Sequence, residues 1–383
     1  MKIAFFSLAS IAHRGGYEKQ IINYAKGLSK LGHTITIVSL SESSTKKLGI
    51  LLSFLHLHPR FSFPEILEDS NFIKNKRFKY LKISSSRELS RILDENEIAY
   101  AKNEILDSLF IFFTKRSIPV ICGIHTVMGY TGSGLYESLH NLFYKSLIYF
   151  KILSTFSAFH SLNRTDEKFL KSKIRNKKIF YIPNFITTSN VISNKTNFFQ
   201  IIYVGRLTKQ KGIKYFLETA GRINNLLGAA DIKFIICGSG QLENDVLQFC
   251  KNFDNIEYKG YISSEEMEQI YERTDLIFIP SEGETFSLAC VEAQRYGSLA
   301  ISFNNFGAKD VILNNKTGFI VPAGNIKLVQ RHIVKLVELK NSKPAEFEKM
   351  KEFTRFSIRQ RFSSNVILPK LERMLRDVNS DSV

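Results

Sequence analysis

The stretch Leu276–Gln294, LIFIPSEGETFSLACVEAQ, decides the fold of this 383-residue chain. It begins with an apolar run, Leu276–Pro280, which predicts a buried parallel strand. A short polar loop follows, and apolar residues at helical spacing predict a helix over Phe286–Arg295. A strand, a tight loop and a helix N-terminus together present backbone N–H groups to a phosphate. The stretch therefore predicts an α/β domain with an anion site.

Two carboxylates flank the start of this predicted helix. Glu284 lies in the loop, and Glu292 follows eight residues later, about two turns on at ~3.6 residues per turn. The two acids can hold hydroxyl groups at either end of one ligand whose phosphates meet the helix N-terminus. Solvated surface glutamates are the alternative interpretation, and the two acids alone do not decide between them.

Length and composition indicate two domains in a reducing environment. A chain of 383 residues exceeds what one hydrophobic core usually supports. The four cysteines lack the pair spacing of a zinc site or a disulfide framework. The formal net charge is +17, and residues 1–185 carry 27 basic against 14 acidic residues. This imbalance favours an anionic partner, such as a membrane surface, a phosphorylated acceptor or a nucleic acid, although solubility alone is an alternative explanation.

The N-terminal half opens with the pattern of a doubly wound domain. Lys2–Ser7 predicts a strand, Glu18–Lys30 a helix and Thr34–Leu40 a second strand, which together form a βαβ unit. Before the helix, Gly15 and Gly16 let the backbone approach a ligand closely, with a simple tight turn as the alternative. The apolar N-terminus fits a first strand better than a secretory signal, and no stretch reaches the ~18 apolar residues of a transmembrane helix.

Two further features of this half bear on function. His125 follows a strand-like run, so it lies where a parallel sheet delivers residues to a ligand crevice. There it can donate to a phosphate or sugar oxygen, or it can pack as a core imidazole. Leu135–Phe159 is apolar and aromatic and is interrupted by lysines. We interpret it as core helices, with a lipid-facing surface as the alternative. His56 and His58 have no further ligands nearby, so they predict no metal site.

The C-terminal half carries a second α/β pattern. The polar segment 187–198 predicts a linker, and the pattern resumes over residues 199–350. Its first strand is followed by Arg206 and Lys211, each beside a glycine. Two cations there can neutralise a diphosphate, although solvated surface charges are the alternative. Ser264, followed by two glutamates, predicts the N-cap of a later helix.

Taken together, these motifs resemble those of the retaining glycosyltransferases of family 4, which have the GT-B fold. The resemblance is thin over residues 45–120, and the segments that carry it are RGGYE (14–18), IPNF (182–185), YVGRLTKQKGI (203–213), ICGSGQ (236–241), PSEGETFSLACVEAQRYG (280–297), KTGFIVPAGN (316–325) and RFSSNVILPKLERML (361–375). It implies two Rossmann-like doubly wound parallel-sheet domains facing a central cleft. Residues 1–186 would form the acceptor-side domain and residues 199–350 the nucleotide-sugar domain, with residues 351–383 returning to the first.

The resemblance also implies roles for individual residues. Glu292 would bind the ribose hydroxyls of the donor and Glu284 its sugar hydroxyls, while Arg206 and Lys211 would hold the diphosphate. His125 would lie at the donor sugar, near the point of attack. The other implied donor-binding residues are Gly15, Gly16, Gly205, Gly238, Ile262, Thr285, Phe286, Ser287 and Leu288. A UDP-sugar is the expected donor, and neither a cofactor nor a metal is expected, since the chain has no Asp-x-Asp motif.

The implied activity is a hexosyltransferase-type reaction with retention by same-face attack. The expected acceptor is a lipid-linked saccharide or a glycolipid, in the assembly of a cell-surface polysaccharide or glycan. With the basic N-terminal half, this predicts a cytoplasmic protein held peripherally on the anionic cytoplasmic face of a membrane. A GT-B-fold sugar-nucleotide epimerase and a transferase with a soluble acceptor are alternatives. A nucleic-acid-binding module ranks lowest, because no reader motif accompanies the lysines, so no nucleic acid is expected as a partner.

Overall fold

A computed structural model of the chain describes residues 1–8, 16–41, 77–103, 105–125, 135–187, 197–228 and 231–381. These residues divide into two compact units. Unit 1 comprises the described residues of Met1–Gly129, Leu135–Phe185 and Ser364–Val383, and unit 2 comprises those of Ile186–Ser363. Among the features named above, Gly15, His56, His58 and most of the predicted linker, residues 188–196, lie outside the described residues.

Unit 1 is built on a parallel sheet. Its strands are β1 (Lys2–Phe6), β2 (Thr34–Leu40), β3 (Phe78–Ile83), β4 (Ile98–Lys102), β5 (Val120–Ile124), β6 (Ala158–Ser161) and β7 (Lys178–Tyr181). Its first helices are α1 (Gly16–Lys30), α2 (Ser86–Asp94), α3 (Ile105–Phe113), α4 (Leu135–Tyr144), α5 (Leu147–Leu153) and α6 (Arg164–Lys173). In the described part of the chain, seven strands pair in the order β3-β2-β1-β4-β5-β6-β7. The order reverses between β1 and β4, which makes the sheet doubly wound.

Unit 2 repeats the same plan. Its strands are β8 (Phe199–Val204), β9 (Ile232–Cys237), β10 (Ile256–Gly260), β11 (Leu276–Ile279), β12 (Leu299–Phe303) and β13 (Gly318–Val321). Its helices are α7 (Ile213–Leu227), α8 (Glu243–Cys250), α9 (Ser264–Glu272), α10 (Leu288–Arg295), α11 (Phe306–Val311), α12 (Ile326–Ser342) and α13 (Pro344–Phe362). Among the described residues, the six strands pair in the order β10-β9-β8-β11-β12-β13. The predicted pair of Rossmann-like domains is therefore confirmed.

Burial on both faces explains why the central strands of both sheets are largely apolar runs. In unit 2, Phe216 on α7 stacks on Phe278 of β11, with 6.2 Å between the ring centroids, and packs edge-on against Phe234 of β9. All three rings are at most 1% exposed. A parallel strand covered by helices on both sides has no solvent face, so it needs no polar alternation. For the same reason, the apolar run that begins at Leu276 could be predicted from the sequence to be a buried strand.

The C-terminal helices divide differently from the prediction. Residues 351–363, which we expected to return to the first domain, belong to unit 2, where all but Ser363 lie in α13. Ser364–Ser380 forms α14 in unit 1. Helix α14 buries Ile367 and Leu371 in the same core cluster as residues of α1. Within the described residues, none of the helices combines the length and the hydrophobicity that crossing a bilayer requires.

Helix α9 begins at Ser264, but its N-cap lies one residue earlier than predicted. Its N-cap is Ser263, whose hydroxyl accepts from the Glu266 N–H at 3.1 Å, while the Glu266 carboxylate accepts from the Ser263 N–H at 2.9 Å. The predicted cap, Ser264, is therefore wrong. A reciprocal capping box needs a glutamate three residues after the serine, and that spacing selects Ser263 over its neighbour.

Candidate functional site

The cations and the acid named from the sequence follow two adjacent central strands of unit 2. The strand order reverses between β8 and β11, and the loops at the carboxyl ends of such strands bind ligands in doubly wound sheets. The loop after β8 holds Gly205, Arg206 and Lys211, and the loop after β11 holds Glu284. The fold thus brings residues about 75 positions apart to one edge of the sheet.

Lys211 and Glu284 form a shielded ion pair at this edge. The Lys211 Nζ atom lies 2.7 Å from Oε1 of Glu284, and the two side chains are only 21% and 14% exposed. An ammonium group has three donors and a carboxylate has about four acceptor positions, so each keeps capacity for a ligand. The pair can therefore donate to a phosphate and accept from a hydroxyl at neighbouring points.

The Tyr203 hydroxyl contacts the backbone of both cationic residues. This buried hydroxyl donates to the carbonyl oxygen of Arg206 at 2.8 Å and lies 3.4 Å from that of Lys211. Burial raises the pKa of Tyr203 above its ordinary value, and nearby Glu284 adds to the rise, so the hydroxyl stays protonated and able to donate. The Arg206 side chain itself is exposed and accessible to an anion.

Gly212 brings the two loops into contact. Its φ is +72°, and a β-carbon there would lie 2.0 Å from the carbonyl oxygen of Pro280, which directly follows β11. Only glycine combines this left-handed conformation with such a close approach. Gly212 is also the N-cap residue of α7, so the turn that carries Lys211 is fixed between a helix and a strand end.

The loop between β11 and α10 is held by hydrogen bonds to its backbone carbonyl groups, one from a backbone N–H and one from a side-chain amide. The Gly307 N–H donates to the carbonyl oxygen of Glu284 at 2.8 Å, and the Asn305 amide donates to the carbonyl oxygen of Ser281 at 3.1 Å. Thr285, Phe286 and Ser287 are buried. These contacts fix the backbone of the loop that carries Glu284.

Helix α10 starts two residues later than predicted. It begins at Leu288, because Phe286 lies in the loop and packs its ring against Phe362 at 5.6 Å. Ser287 is the N-cap residue, and its hydroxyl makes no capping bond in the described part of the structure. The N–H groups of a first helical turn have no intrahelical acceptors, so this helix end can bind an anion.

Glu292 lies in the second turn of α10 and is half-buried. The Tyr271 hydroxyl donates to its Oε2 atom at 3.4 Å. Burial, and then the Glu292 charge, raises the pKa of Tyr271 well above its usual range, so this donor stays protonated. The structure therefore places both predicted glutamates on one loop–helix segment.

The remaining predicted residues of unit 2 lie at the ends of β8, β9 and β10. Gly205 donates its N–H to the carbonyl oxygen of Cys237 at 3.0 Å, and Gly238 donates to that of Gly260 at 2.7 Å. The Tyr258 hydroxyl donates to the carbonyl oxygen of Gly238 at 3.0 Å. Ile262 follows β10 and is half-buried. Three adjacent strand ends are thereby joined into one surface beside the cationic loop.

In unit 1, His125 lies directly after β5 and is half-buried. Its N–H donates to Oδ1 of Asn103 at 2.9 Å, and its Nε2 atom lies 2.7 Å from the Tyr100 hydroxyl. Burial lowers the pKa of His125 well below 6.5, and the charges of His160 and Lys102 lower it further. The imidazole is therefore neutral at pH 7. Gly16 is the exposed first residue of α1.

Both units match models of known protein families. Residues 14–190 match the model described as Glycosyltransferase Family 4, and residues 185–355 match the model described as Glycosyl transferases group 1. The chain belongs to glycosyltransferase family 4. This confirms the family that the motifs of the sequence resemble.

Two relatives of this glycosyltransferase cover nearly all and more than half of the chain. An uncharacterized glycosyltransferase of Haemophilus influenzae is 23% identical over 361 residues, which cover 92% of this chain and 94% of the relative. The UDP-Gal:alpha-D-GlcNAc-diphosphoundecaprenol alpha-1,3-galactosyltransferase of Escherichia coli is 28% identical over 241 residues, which cover 58% of this chain and 62% of the relative. A complex of Staphylococcus aureus TarM with Fondaparinux, alpha-GlcNAc-glycerol and UDP has a TM-score of 0.74 at 14% identity, covering 98% of this chain and 99% of that one. The last likeness supports the GT-B fold alone.

The sequence reasoning missed the tyrosines that support the predicted site of this glycosyltransferase. Tyr203, Tyr271 and Tyr100 each bond a predicted residue or its backbone, yet their side chains are buried. Tyr203 and Tyr100 lie within apolar strand runs, where a tyrosine resembles any other core aromatic residue. The only signal was that a buried tyrosine hydroxyl needs a hydrogen-bond partner.

Proposed function

We propose that this family 4 glycosyltransferase is a retaining enzyme that transfers a sugar from a UDP-sugar to a hydroxyl group of a lipid-linked saccharide or glycolipid. The observation that carries the proposal is the Lys211–Glu284 pair, which lies in the two loops at the reversal of the second sheet and just before α10. This arrangement offers cationic and amide donors to a diphosphate and a carboxylate to a sugar. The relative that uses UDP-Gal supports uridine as the base of the donor.

The charges suit the departure of a nucleoside diphosphate. As the bond between the sugar C1 and the phosphate oxygen breaks, negative charge develops on the diphosphate. Arg206, Lys211 and the first amides of α10 stabilise that charge from fixed positions. The acceptor oxygen then bonds C1 on the same face, and its proton passes to the leaving phosphate oxygen. The configuration at C1 is retained.

Fixed protein charges also support metal independence. Arginine offers a planar fork and lysine a point charge, and together they neutralise the two negative charges that a divalent cation would otherwise balance. Glu284 would bind hydroxyls of the transferred sugar, and Glu292 those of the ribose. The two carboxylates then orient the donor around its bound diphosphate.

The donor can be identified by thermal stabilisation. We expect UDP and UDP-sugars at ~100 times their dissociation constants to add about 2.7 kcal/mol to the free energy of unfolding. For a domain the size of unit 2, this raises the melting temperature by roughly 5–10 °C. A panel of uridine, guanosine and adenosine diphosphate sugars in differential scanning fluorimetry measures the effect. Absence of a shift with every nucleotide sugar would contradict the proposed donor site.

Transfer itself requires an acceptor, which separates this proposal from epimerase activity. The E. coli relative acts on a sugar linked to diphosphoundecaprenol, which supports a lipid-linked acceptor for this chain. With the donor that gives the largest thermal shift, labelled sugar should appear in an organic-extractable product only when a lipid-linked saccharide is present. Release of an altered sugar without any acceptor would contradict transfer and favour an epimerase.

The surface of α4 and α5 supports a membrane-bound acceptor. Leu142, Leu147 and Ile148 are 70%, 88% and 69% exposed, and Lys145 and Lys151 are exposed beside them. The same two helices bury other apolar residues, so the segment combines a core face with an apolar and basic outer face. We assign this outer face to an anionic lipid surface, because apolar insertion and positive charge together favour one. The cytoplasmic leaflet, which is anionic, then fits best.

We expect Leu147→Ser together with Ile148→Ser to weaken binding to anionic vesicles at least tenfold. Each apolar side chain contributes about 1.5–3 kcal/mol when fully buried, and about 1.4 kcal/mol corresponds to tenfold. Cosedimentation with vesicles containing phosphatidylglycerol measures the change. Leu226→Ser, which alters a 57% exposed leucine on α7, is the matched control and should bind normally. Equal binding of the wild type to neutral and anionic vesicles would contradict the proposed contribution of positive charge to membrane binding.

A further inference from the structure

The last turn of α13 lies against the loop that carries Glu284. The Phe362 ring packs edge-on against the Phe286 ring, with 5.6 Å between their centroids, and the two side chains are only 2% and 7% exposed. Phe286 lies in the loop between Glu284 and the start of α10. Aromatic pairs prefer an edge-on arrangement over random packing, so this contact restricts the conformation of the loop.

Helix α11 connects the same two segments by a second route. At its C-terminal end, the Arg361 guanidinium donates to the carbonyl oxygen of Val311 at 2.9 Å and to that of Asp310. Near its other end, the Gly307 N–H donates to the carbonyl oxygen of Glu284 at 2.8 Å. The last turn of α13 therefore holds the loop both directly and through α11.

Phe362 is itself held in place by backbone pairing. The Ile186 N–H donates to the carbonyl oxygen of Phe362 at 3.0 Å, and Ile186 forms an isolated parallel bridge with Ser363. In the described part of the chain, unit 2 begins at Ile186 and ends at Ser363. The residue whose ring contacts the loop is therefore fixed by the pairing of both ends of unit 2, and it can act as a support for the loop.

We propose that Phe362 is a positioning residue for sugar recognition, whose ring keeps the β11–α10 loop in the conformation in which Glu284 binds hydroxyl groups of the donor sugar. This inference rests on the proposed function for its ligand, a nucleotide sugar. The diphosphate has other partners, because Arg206 and Lys211 lie in the loop after β8. Loss of the Phe362 contact should therefore weaken binding of the sugar more than binding of the nucleotide.

Phe362→Leu tests this difference, because it removes the ring and keeps an apolar side chain. Isothermal titration calorimetry measures the dissociation constants of UDP and of the UDP-sugar that gives the largest thermal shift. We expect the variant to bind the UDP-sugar about tenfold more weakly, the effect of losing one hydrogen bond to a charged group. The affinity for UDP should stay within about threefold of the wild-type value. An unchanged ratio of the two constants would contradict the positioning role.

Phe347→Leu is the matched control for general destabilisation. Phe347 lies on the same helix and is 1% exposed, but its ring packs against that of Phe199, with 5.9 Å between the centroids. Phe199 is the first residue of β8, at the end of the strand away from the candidate site. Phe347→Leu should lower the melting temperature and leave the ratio of dissociation constants unchanged. Phe356→Leu, which alters a 60% exposed ring of α13, should change neither.

Hydrogen–deuterium exchange tests the contact without any ligand. Local opening of the loop exposes its amides and breaks the hydrogen bond between the Gly307 N–H and Glu284, so both report on the loop. We expect Phe362→Leu to accelerate exchange in peptides that cover residues 281–287 and Gly307. Peptides that cover β9 should exchange at the wild-type rate. Wild-type exchange in the loop peptides of the variant would overturn the inference, whether or not the protein transfers sugar.

The outcomes separate this inference from the proposed function. If the wild type transfers sugar but Phe362→Leu keeps the wild-type ratio of dissociation constants, the positioning role is wrong and the transferase proposal stands. If the wild type binds no nucleotide sugar, the proposed function fails, and hydrogen exchange still decides whether Phe362 holds the loop. Should Phe362→Leu fail to fold, Phe362→Met takes its place in both measurements, because a flexible methionine fills irregular buried space.

Discussion

Lys211→Ala and Glu284→Gln should each reduce the rate of sugar transfer about a hundred- to a thousandfold, the effect of removing one preorganised charged group from a reacting centre. Lys211→Ala removes a fixed positive charge from the departing diphosphate. Glu284→Gln keeps the size of the side chain but loses the charge that holds both Lys211 and a sugar hydroxyl. The measurement is the initial rate of transfer at saturating donor, with the melting temperature recorded for each variant.

Lys214→Ala is the matched control for Lys211→Ala. It removes the same unit of charge three residues later, but Lys214 and its partner Asp245 are 66% and 51% exposed. An exposed pair of this kind contributes little, so activity and stability should stay near the wild-type values. Full activity in a folded Lys211→Ala variant would contradict the site.

The double variant adds a further check on the pair. Because Lys211 and Glu284 contact each other at 2.7 Å, each single change already disrupts the partner. The double change should therefore cost less activity than the product of the two single effects. Strictly multiplicative losses would indicate that the two side chains act on the substrate independently of one another.

The fold was predictable because its central strands are buried on both faces. Runs such as Leu276–Ile279 are apolar without alternation and end at a polar loop, and the structure forms β11 there. The start of α10 was less predictable. Phe286 has the spacing of a helical core residue, but its ring packs against Phe362, which lies 76 positions away and was not visible as a neighbour from sequence.

Charged loop residues could be predicted and their buried supports could not. Glycines and charges that follow apolar runs mark strand ends, which is how Arg206, Lys211 and Glu284 were found. Tyr100 and His160 occur inside strands, and their meeting depends on the register of three adjacent strands. A single sequence contains no direct information on which strands are neighbours, so the hydrogen bond between Tyr100 and His160 was found only in the structure.

A buried carboxylate, which directly precedes β11, makes a large contribution to the stability of unit 2. Asp275 is 3% exposed, and its two oxygens lie 2.8 Å from Nζ of Lys340 and 3.0 Å from Nζ of Lys351. The Gln200 N–H donates to it at 3.1 Å. The two lysines come from α12 and α13, so one carboxylate joins two helices to the end of the sheet. Lys351 is itself 4% exposed, whereas Lys340 is 18% exposed.

Asp275→Ala should lower the free energy of unfolding by about 3–5 kcal/mol, because it leaves buried lysine charge without the carboxylate that neutralises it. Lys340→Met should cost less, since Asp275 keeps Lys351 and the lost partner is the more exposed one. Calorimetry of the unit 2 transition measures both. Asp275 precedes β11 and Glu284 follows it, so the strand separates the stabilising cluster from the chemistry. Below its lowered melting temperature, the Asp275→Ala variant should therefore retain a near-normal rate of transfer, and an unchanged melting temperature would contradict the role of the cluster.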